Sequence, residues 1–378
     1  MINFTPQLAV ANISFKHKIR GGYLYMKKRL LTLLLTTSII TSLVGCGANS
    51  SEAPAQESTE ETAADTTSVE ENTEFPITIK HAFGETTIEQ KPERIVNLGW
   101  ANQDTTLALG VVPVGVSAAN YGLMTDNKLH LWTDDAFAAL GETSPNVFDD
   151  ETGWDYEAIA ACEPDIIIAS YSGFTEEEYN LLSEIAPVVP YLETAWKTNW
   201  REQTITNATA MGMKEEGEKL VEETDALIEE KLASYPALEG KTAGYFWISQ
   251  DDMSTFYAYL TADPRASYLN DLGLKTPESI LSLAESTEDF SVTLSRENTD
   301  LLNDVDIMVV YGDEGLLEAM QADPLMSQIP AVKNGAVVLI DSTTALAAAT
   351  TPSILSIPYA IDDYLELLNE AANKIEAE

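Results

Sequence analysis

RIVNLGWANQDTTLALGVVPVGVS, residues 94–117, holds two short β-branched runs on either side of a helix-patterned stretch. RIVNLG (94–99) and VVPVGVS (111–117) read as buried strands, and 104–109 between them reads as a helix, so the segment is a strand–helix–strand unit. That unit recurs in both directions along the chain. Upstream, ITIKHAFGETTIE (77–89) predicts a hairpin turning at Phe83-Gly84. Downstream, DIIIAS (165–170) and PVVPYL (187–192) alternate with helical segments at 156–162 and 176–185, which completes a first α/β lobe over 75–212 with a largely parallel sheet. A second series, KTAGYFWIS (241–249), DIMVVYG (306–312) and GAVVLID (335–341), alternates with helices at 265–272, 296–302, 315–320 and 357–372 and predicts a second lobe of the same class over 237–378. Between them KEEGEKLVEETDALIEEKLASY (214–235) has no Pro and carries an apolar stripe at Leu220, Val221, Leu227, Ile228 and Leu232. As a helix it would reach roughly 30 Å, a strut across 213–236 joining the lobes as a stiff hinge. WDYEAIAACEPDIIIA (154–169) parallels LSRENTDLLNDVDIMVV (294–310), which is consistent with an internal duplication.

The 378 residues hold 21 Lys and Arg against 61 Asp and Glu, a net charge of −40. So much negative charge repels phosphate backbones and anionic headgroups, excluding a nucleic-acid binder or a basic membrane-surface protein. The basic residues are unevenly spread: 1–45 carry six of them and no acid. Lys27-Lys28-Arg29 precede the uncharged run 30–45, too short and too rich in Ser and Thr for a membrane span, so 26–45 reads as a signal peptide. Residues 1–25 lack any domain-like pattern, and translation is expected to begin at Met26. Leu43-Val44-Gly45-Cys46 resembles a bacterial lipobox, which makes Cys46 the expected lipidation site. Residues 46–74, rich in Ser, Thr, Ala and Glu, predict a disordered acidic tether. With Cys46 acylated, Cys162 in IAACEP has no disulfide partner and is expected to be a small core residue.

No G-x-S-x-G elbow, H-E-x-x-H pair or glycine-rich phosphate loop occurs. Past residue 46 only His81 and His130 remain, which leaves little for a catalytic triad and too few for a three-His metal site. His81, in the hairpin, is expected to be structural. A secreted hydrolase working through paired carboxylates is the rival reading from the enzyme class.

Taken with the lipobox and the tether, HAFGETTIEQKPERIVNLGWANQDTTLALGVVPVGVS (81–117), DYEAIAACEPDIIIASYSG (155–173) and the interlobe helix resemble the substrate-binding lipoproteins of iron-siderophore ABC importers, over about residues 76–372. The resemblance implies two Rossmann-like lobes joined by a single long α-helix with the ligand cleft between them, no enzymatic activity and no resident cofactor. It implies a ferric siderophore as ligand, with haem or cobalamin as rivals within the class; haem would need an axial ligand such as Tyr121 or Tyr171. Its partners would be an importer permease and its ATPase, and the membrane would be touched through the lipid anchor alone, by a monomer on the outer face of the cell membrane or in the periplasm. Family members dock their permease through one carboxylate per lobe, and the matching positions are Glu157 and Glu297. An acid in a first helical turn is also favourable against the macrodipole.

Independently, open α/β sheets bind ligands beyond the carboxyl ends of their strands. That rule selects Trp100, Asn102, Tyr121, Tyr171 and Ser172 in the first lobe, and Trp247, Tyr311 and Ser342 in the second. Trp196 and Trp200 follow the strand that ends near Leu192, and either could wall the cleft. An anionic chelate wants cations and aromatic faces. Arg265 in TADPRASYL is the best placed cation, with a surface ion pair as its other reading; Lys128 and His130, in a long loop, come second. Members of the resembled family that take highly charged catecholate complexes place several basic residues after the first two strands; the loops GWANQD and SAANYG here carry none, so the resemblance implies a chelate less charged than a trianionic tris-catecholate, a hydroxamate or mixed-ligand complex.

Overall fold

The computed structural model describes residues 75–150 and 152–375. The expectations for 1–25, for the signal peptide, for Cys46 and for the acidic tether lie outside the described residues.

A hairpin of β1 (Ile77–His81) and β2 (Gly84–Ile88) opens the body, turning one residue earlier than expected, through Ala82-Phe83. The first lobe continues with β3 (Ile95–Asn97), α1 (Asn102–Ala108), β4 (Gly115–Ser117), α2 (Leu131–Ala139), β5 (Val147–Phe148), α3 (Tyr156–Ala161), β6 (Ile166–Ile168), α4 (Glu176–Ser183), β7 (Val188–Val189) and α5 (Trp200–Ala210). Its five strands lie in the order β5-β4-β3-β6-β7, all parallel. Strands β3 and β6 are buried on both faces, which is why β6 reads as an unbroken apolar run and β3 as one broken only by the buried Asn97. The chain leaves β3 for β4 on one side and later returns to place β6 on the other, so the crevice of this doubly wound sheet opens between the loops after β3 and β6.

After α6 (Lys214–Leu232) comes the second lobe: β8 (Ala243–Ile248), β9 (Thr255–Tyr259), α7 (Pro264–Asp271), α8 (Glu278–Glu285), β10 (Ser291–Ser295), a 3-10 stretch Arg296–Leu302, β11 (Ile307–Tyr311), α9 (Leu316–Ala322), α10 (Pro330–Asn334), β12 (Val337–Ile340), α11 (Ala345–Ala349) and α12 (Ser356–Ala372). Its order is β10-β9-β8-β11-β12. Strands β8, β11 and β12 are parallel, whereas β9 is antiparallel to both β8 and β10. The fold class is thus the expected one, two α/β lobes, with corrections of detail. In the second sheet β9 and β10 form an antiparallel edge that the parallel expectation lacked, and in the first lobe the expected long loop contains α2. Helix α2 lacks a clean apolar stripe because it is buried through scattered contacts of Trp132, Thr133 and Phe137.

Helix α6 is held from both sides. Its Gly217 lets it lie directly on α5, since a Cβ there would come within 2.3 Å of the Ala208 Cβ. Its Val221 and Ile228 enter the core of the second lobe beside Tyr245, Val309 and Leu365, each side chain contributing about 1.5–3 kcal/mol by burial. Arg201 on α5 binds Asp225 of α6 through Nη2 at 2.6 Å and Asp271 of α7 through Nη1 at 3.0 Å. Trp200 was a candidate wall of the cleft; it is instead 2% exposed in that same core, with its Nε1 donating to Asp271 at 3.0 Å. The strut and its neighbours form one packed spine rather than a bare tether.

Candidate functional site

At the carboxyl ends of β3 and β6 the backbone is clamped by a buried amide network. Asn102 is fully buried: its Nδ2 donates to the carbonyls of Leu98 and Tyr171 at 2.7 and 3.0 Å, and its Oδ1 accepts from Ser170, Tyr171 N–H, Gln203 and Asn207. A side chain so fully engaged holds the two switch-point loops together, and its role is to position them. Ser172 is buried in the same loop, and its Oγ has no partner among the described residues. The result is a fixed pair of loops that present Trp100 and Tyr171.

Tyr171 stands edge-on to Trp196, ring centroids 5.4 Å apart. Trp196 is 39% exposed, and Gly173 makes room for it: a Cβ at 173 would lie 2.1 Å from the indole Nε1. Tyr121, from the loop after β4, meets Tyr311 of β11 edge to face at 5.5 Å, so here one ring from each lobe touches the other. On the second sheet the in-register residues Tyr245, Trp247, Tyr257, Tyr259 and Tyr311 share one face, because paired strands turn opposite residues to the same side. Tyr245 is wholly buried; Trp247 and Tyr257, 38% and 41% exposed and 5.5 Å apart, reach solvent at the carboxyl end of β8.

Arg265 lies among these rings. Its Cζ sits 4.0 Å from the Tyr259 centroid and 5.9 Å from that of Tyr311. Asp263, almost completely buried, caps α7 by accepting Arg265 N–H and binds the guanidinium in a fork, Nε at 2.8 Å and Nη2 at 2.6 Å. Burial works against this cation, yet the Asp263 carboxylate holds its pKa well above the usual arginine value. Of the two readings of Arg265, cleft cation or surface ion pair, the structure shows an ion pair set in an aromatic recess, 19% exposed. The surrounding phenols stay protonated: burial raises Tyr121 and Tyr171 well above their usual value and Tyr259 to about 12, with Arg265 partly opposing it in all three. Tyr171 feels both Asp263 and Arg265, so first-lobe and second-lobe groups share one electrostatic neighbourhood.

Other expected residues sit elsewhere. Trp100 is half-buried with its ring 5.1 Å from His130, which is itself stacked on Trp132 at 4.7 Å. The His130 ring bonds the Tyr121 carbonyl at 3.1 Å; burial pulls its pKa down to about 4, so it is neutral. Lys128 is a surface residue paired with Asp149 at 2.8 Å. Ser342 is exposed in the turn after β12. Tyr311 turns its hydroxyl into the lobe, toward Thr350 at 3.2 Å, so it offers a ring and not a donor. His81, bonded to Thr86 at 3.0 Å, is structural, and Cys162 is a buried free thiol. Glu157 and Glu297 are both exposed in first turns, behind the caps Asp155 and Ser295. Sequence reasoning missed Tyr257, Tyr259 and Asp263; the alternation in TFYAY and the Asp-Pro start of α7 carry the signal for them. A groove of about 350 Å³ between the end of α1 and α6 shares no residue with this cluster and has no aromatic lining. Among the described residues no helix is long and apolar enough to cross a membrane, and no group of three or more His, Cys, Asp or Glu could hold a metal ion.

Residues 95–344 match the periplasmic binding protein family. The chain belongs to that family. It is a family of substrate-binding transport proteins and not of enzymes. The structure superposes on that of PiaA from Streptococcus pneumoniae TIGR4, crystallised in complex with ferrichrome, with a TM-score of 0.77 and 43% identity over 79% of this chain and all of that one. The probable siderophore-binding lipoprotein YfiY of Bacillus subtilis is 26% identical over 76% of this chain and 79% of its own length. The Fe(3+) dicitrate-binding periplasmic protein FecB of Escherichia coli is 25% identical over 71% of this chain and 84% of its own length.

Proposed function

We propose that this chain captures a ferric siderophore of low net charge, such as a tris-hydroxamate complex, between its lobes and delivers it to an ABC importer without acting on it chemically. The observation that carries the reading is the composition of the recess: one guanidinium already neutralised by Asp263, surrounded by protonated phenols and indoles from both lobes. Three hydroxamates neutralise Fe(III), leaving a compact complex with partly negative ligand oxygens and apolar sides. The Arg265 guanidinium and the Tyr121, Tyr171 and Tyr259 hydroxyls would donate to such oxygens, and Trp196, Trp247, Tyr257 and the Tyr311 ring would cover the organic shell. A trianion would meet no net positive charge there.

In this reading Cys46 carries the lipid, the protein works as a monomer on the outer face of the membrane, and Glu157 and Glu297, one per lobe, meet the permease. The test is a tryptophan-fluorescence titration with ferrichrome, a ferric tris-catecholate, ferric citrate, haem and cobalamin. Saturable quenching is expected from ferrichrome and not from its iron-free form. Tight binding of the tris-catecholate in preference to ferrichrome would overturn the charge assignment, and no response to any ferric chelate would overturn the function.

A further inference from the structure

Away from the aromatic recess the lobes meet through one buried acid. Asp104, in α1, is completely buried. Its carboxylate accepts Trp132 Nε1–H at 2.9 Å and Thr133 Oγ–H at 2.8 Å from α2, and Ser353 Oγ–H at 2.5 Å from the segment joining α11 to α12 in the second lobe. Ser353 is fixed in turn, its Oγ accepting Ser356 N–H at 3.0 Å at the start of α12. Around this node Trp132 packs on Tyr359, Ala348, Ala349 and Ala360 of the second lobe, and Leu123 N–H donates to Thr344 O from lobe to lobe at 3.1 Å. The same loop carries Tyr121, which faces Tyr311 in the recess.

We propose that Asp104 is a proton-sensitive latch between the lobes, a positioning residue that sets how firmly the recess is closed. The closed arrangement withdraws the carboxylate from water and offers three neutral donors and no cation. Asp104 is therefore held at about 6, raised by burial and only partly lowered by the bonds from Ser353, Thr133 and Trp132. When the lobes part, water reaches the carboxyl and its affinity for a proton returns to the ordinary aspartate range. The closed form binds the proton more tightly, so closure strengthens as pH falls through about 6 and weakens as it rises. All three partners tolerate the proton: Trp132 and Thr133 still donate, and the Ser353 hydroxyl can accept instead.

Ionisable groups on the packed elements leave the node to Asp104. On α2, Asp134 is bonded to Asn127 and Asp135 lies toward Tyr359. His130 stacks on Trp132 and is already neutral above pH 4, Tyr359 lies over the other side of that indole, and on α5 Arg201 is engaged with Asp225 and Asp271 while Glu202 is held above its usual value by burial and Glu193. None of them bonds Asp104.

The test is amide exchange of the peptide containing Leu123, in ligand-free full-length protein, comparing wild type with Asp104→Asn at each pH so that intrinsic exchange cancels. The amide in Asp104→Asn can satisfy the same three partners without titrating. From pH 7.5 to 5.5 the protection of the wild type relative to this variant is expected to rise about fourfold. Ferrichrome release, measured in parallel, should slow by up to the same factor in wild type and stay flat in the variant. That second arm rests on the function proposed above; the exchange arm does not, so a protein that ignores ferrichrome yet shows the exchange change keeps its latch. A pH-independent ratio, or an identical pH trend in both proteins, overturns the proposal.

Discussion

Replacing Arg265 with Gln separates the two tasks given to that residue. The guanidinium compensates Asp263, which is 2% exposed, through two bonds of 2.8 and 2.6 Å. Removing one partner of a fully buried pair costs about 3–5 kcal/mol; because Arg265 is itself 19% exposed and Asp263 keeps its bond to the α7 backbone, the cost here falls below that range, about 2–3 kcal/mol. In a body of this size that is a fall in Tm of roughly 5–10 °C. Asp263→Asn combined with Arg265→Gln removes the stranded charge, and most of the lost stability should return. Ligand affinity should not return, because the single and double variants both lack the charge-assisted donor, worth about 1.5–3 kcal/mol, or roughly 10- to 150-fold in Kd. Calorimetric unfolding and fluorescence titration with ferrichrome read the two quantities independently. Equal destabilisation in single and double variants would show that the pair is not a coupled buried charge pair, and unchanged affinity in both would remove Arg265 from the binding site.

Glu157→Ala with Glu297→Ala should leave ferrichrome affinity within error of wild type and abolish uptake in cells, since both side chains are exposed in the first turns of elements that carry none of the clustered rings; normal transport would end the docking assignment. Gly173→Ala should push Trp196 off Tyr171, weakening binding about tenfold and shifting tryptophan emission, while Tm falls by only a few degrees because the displaced ring is 39% exposed. Trp200→Phe should cost about 2–3 kcal/mol of stability, from lost volume and the lost bond to Asp271, with ligand affinity nearly unchanged. Cys46→Ser should move the protein from the membrane fraction to the soluble fraction, read by fractionation of whole cells.

Much of the architecture is written in local pattern. III and IMVVY are buried on both faces between parallel neighbours, which is why they are almost wholly apolar, and the strut's stripe of Val221 and Ile228 follows from one-sided burial. Helix α2 and the β9–β10 edge were not legible because their pattern is set by partners distant in sequence: Trp132 and Thr133 are buried by Asp104, and β9 alternates against β8.

For the site, strand-end logic selects candidates such as Trp100, Tyr121, Tyr171, Trp247 and Tyr311, because the end of a strand is a property of the sequence. Whether a side chain there faces a ligand or its own lobe is decided by packing. Asn102 and Trp200 were equally good candidates by position, yet one is saturated by six bonds and the other fills the core beside α6. The sequence by itself determined the lobes, the strut and the shortage of cations, since each depends on composition or on neighbours a few residues apart. The tertiary structure alone decided that Arg265 arrives already paired with Asp263 and ringed by Tyr259 and Tyr311, and that Asp104 meets Ser353 across 249 positions of chain. Burial and charge compensation exist only once distant segments have excluded water from between them.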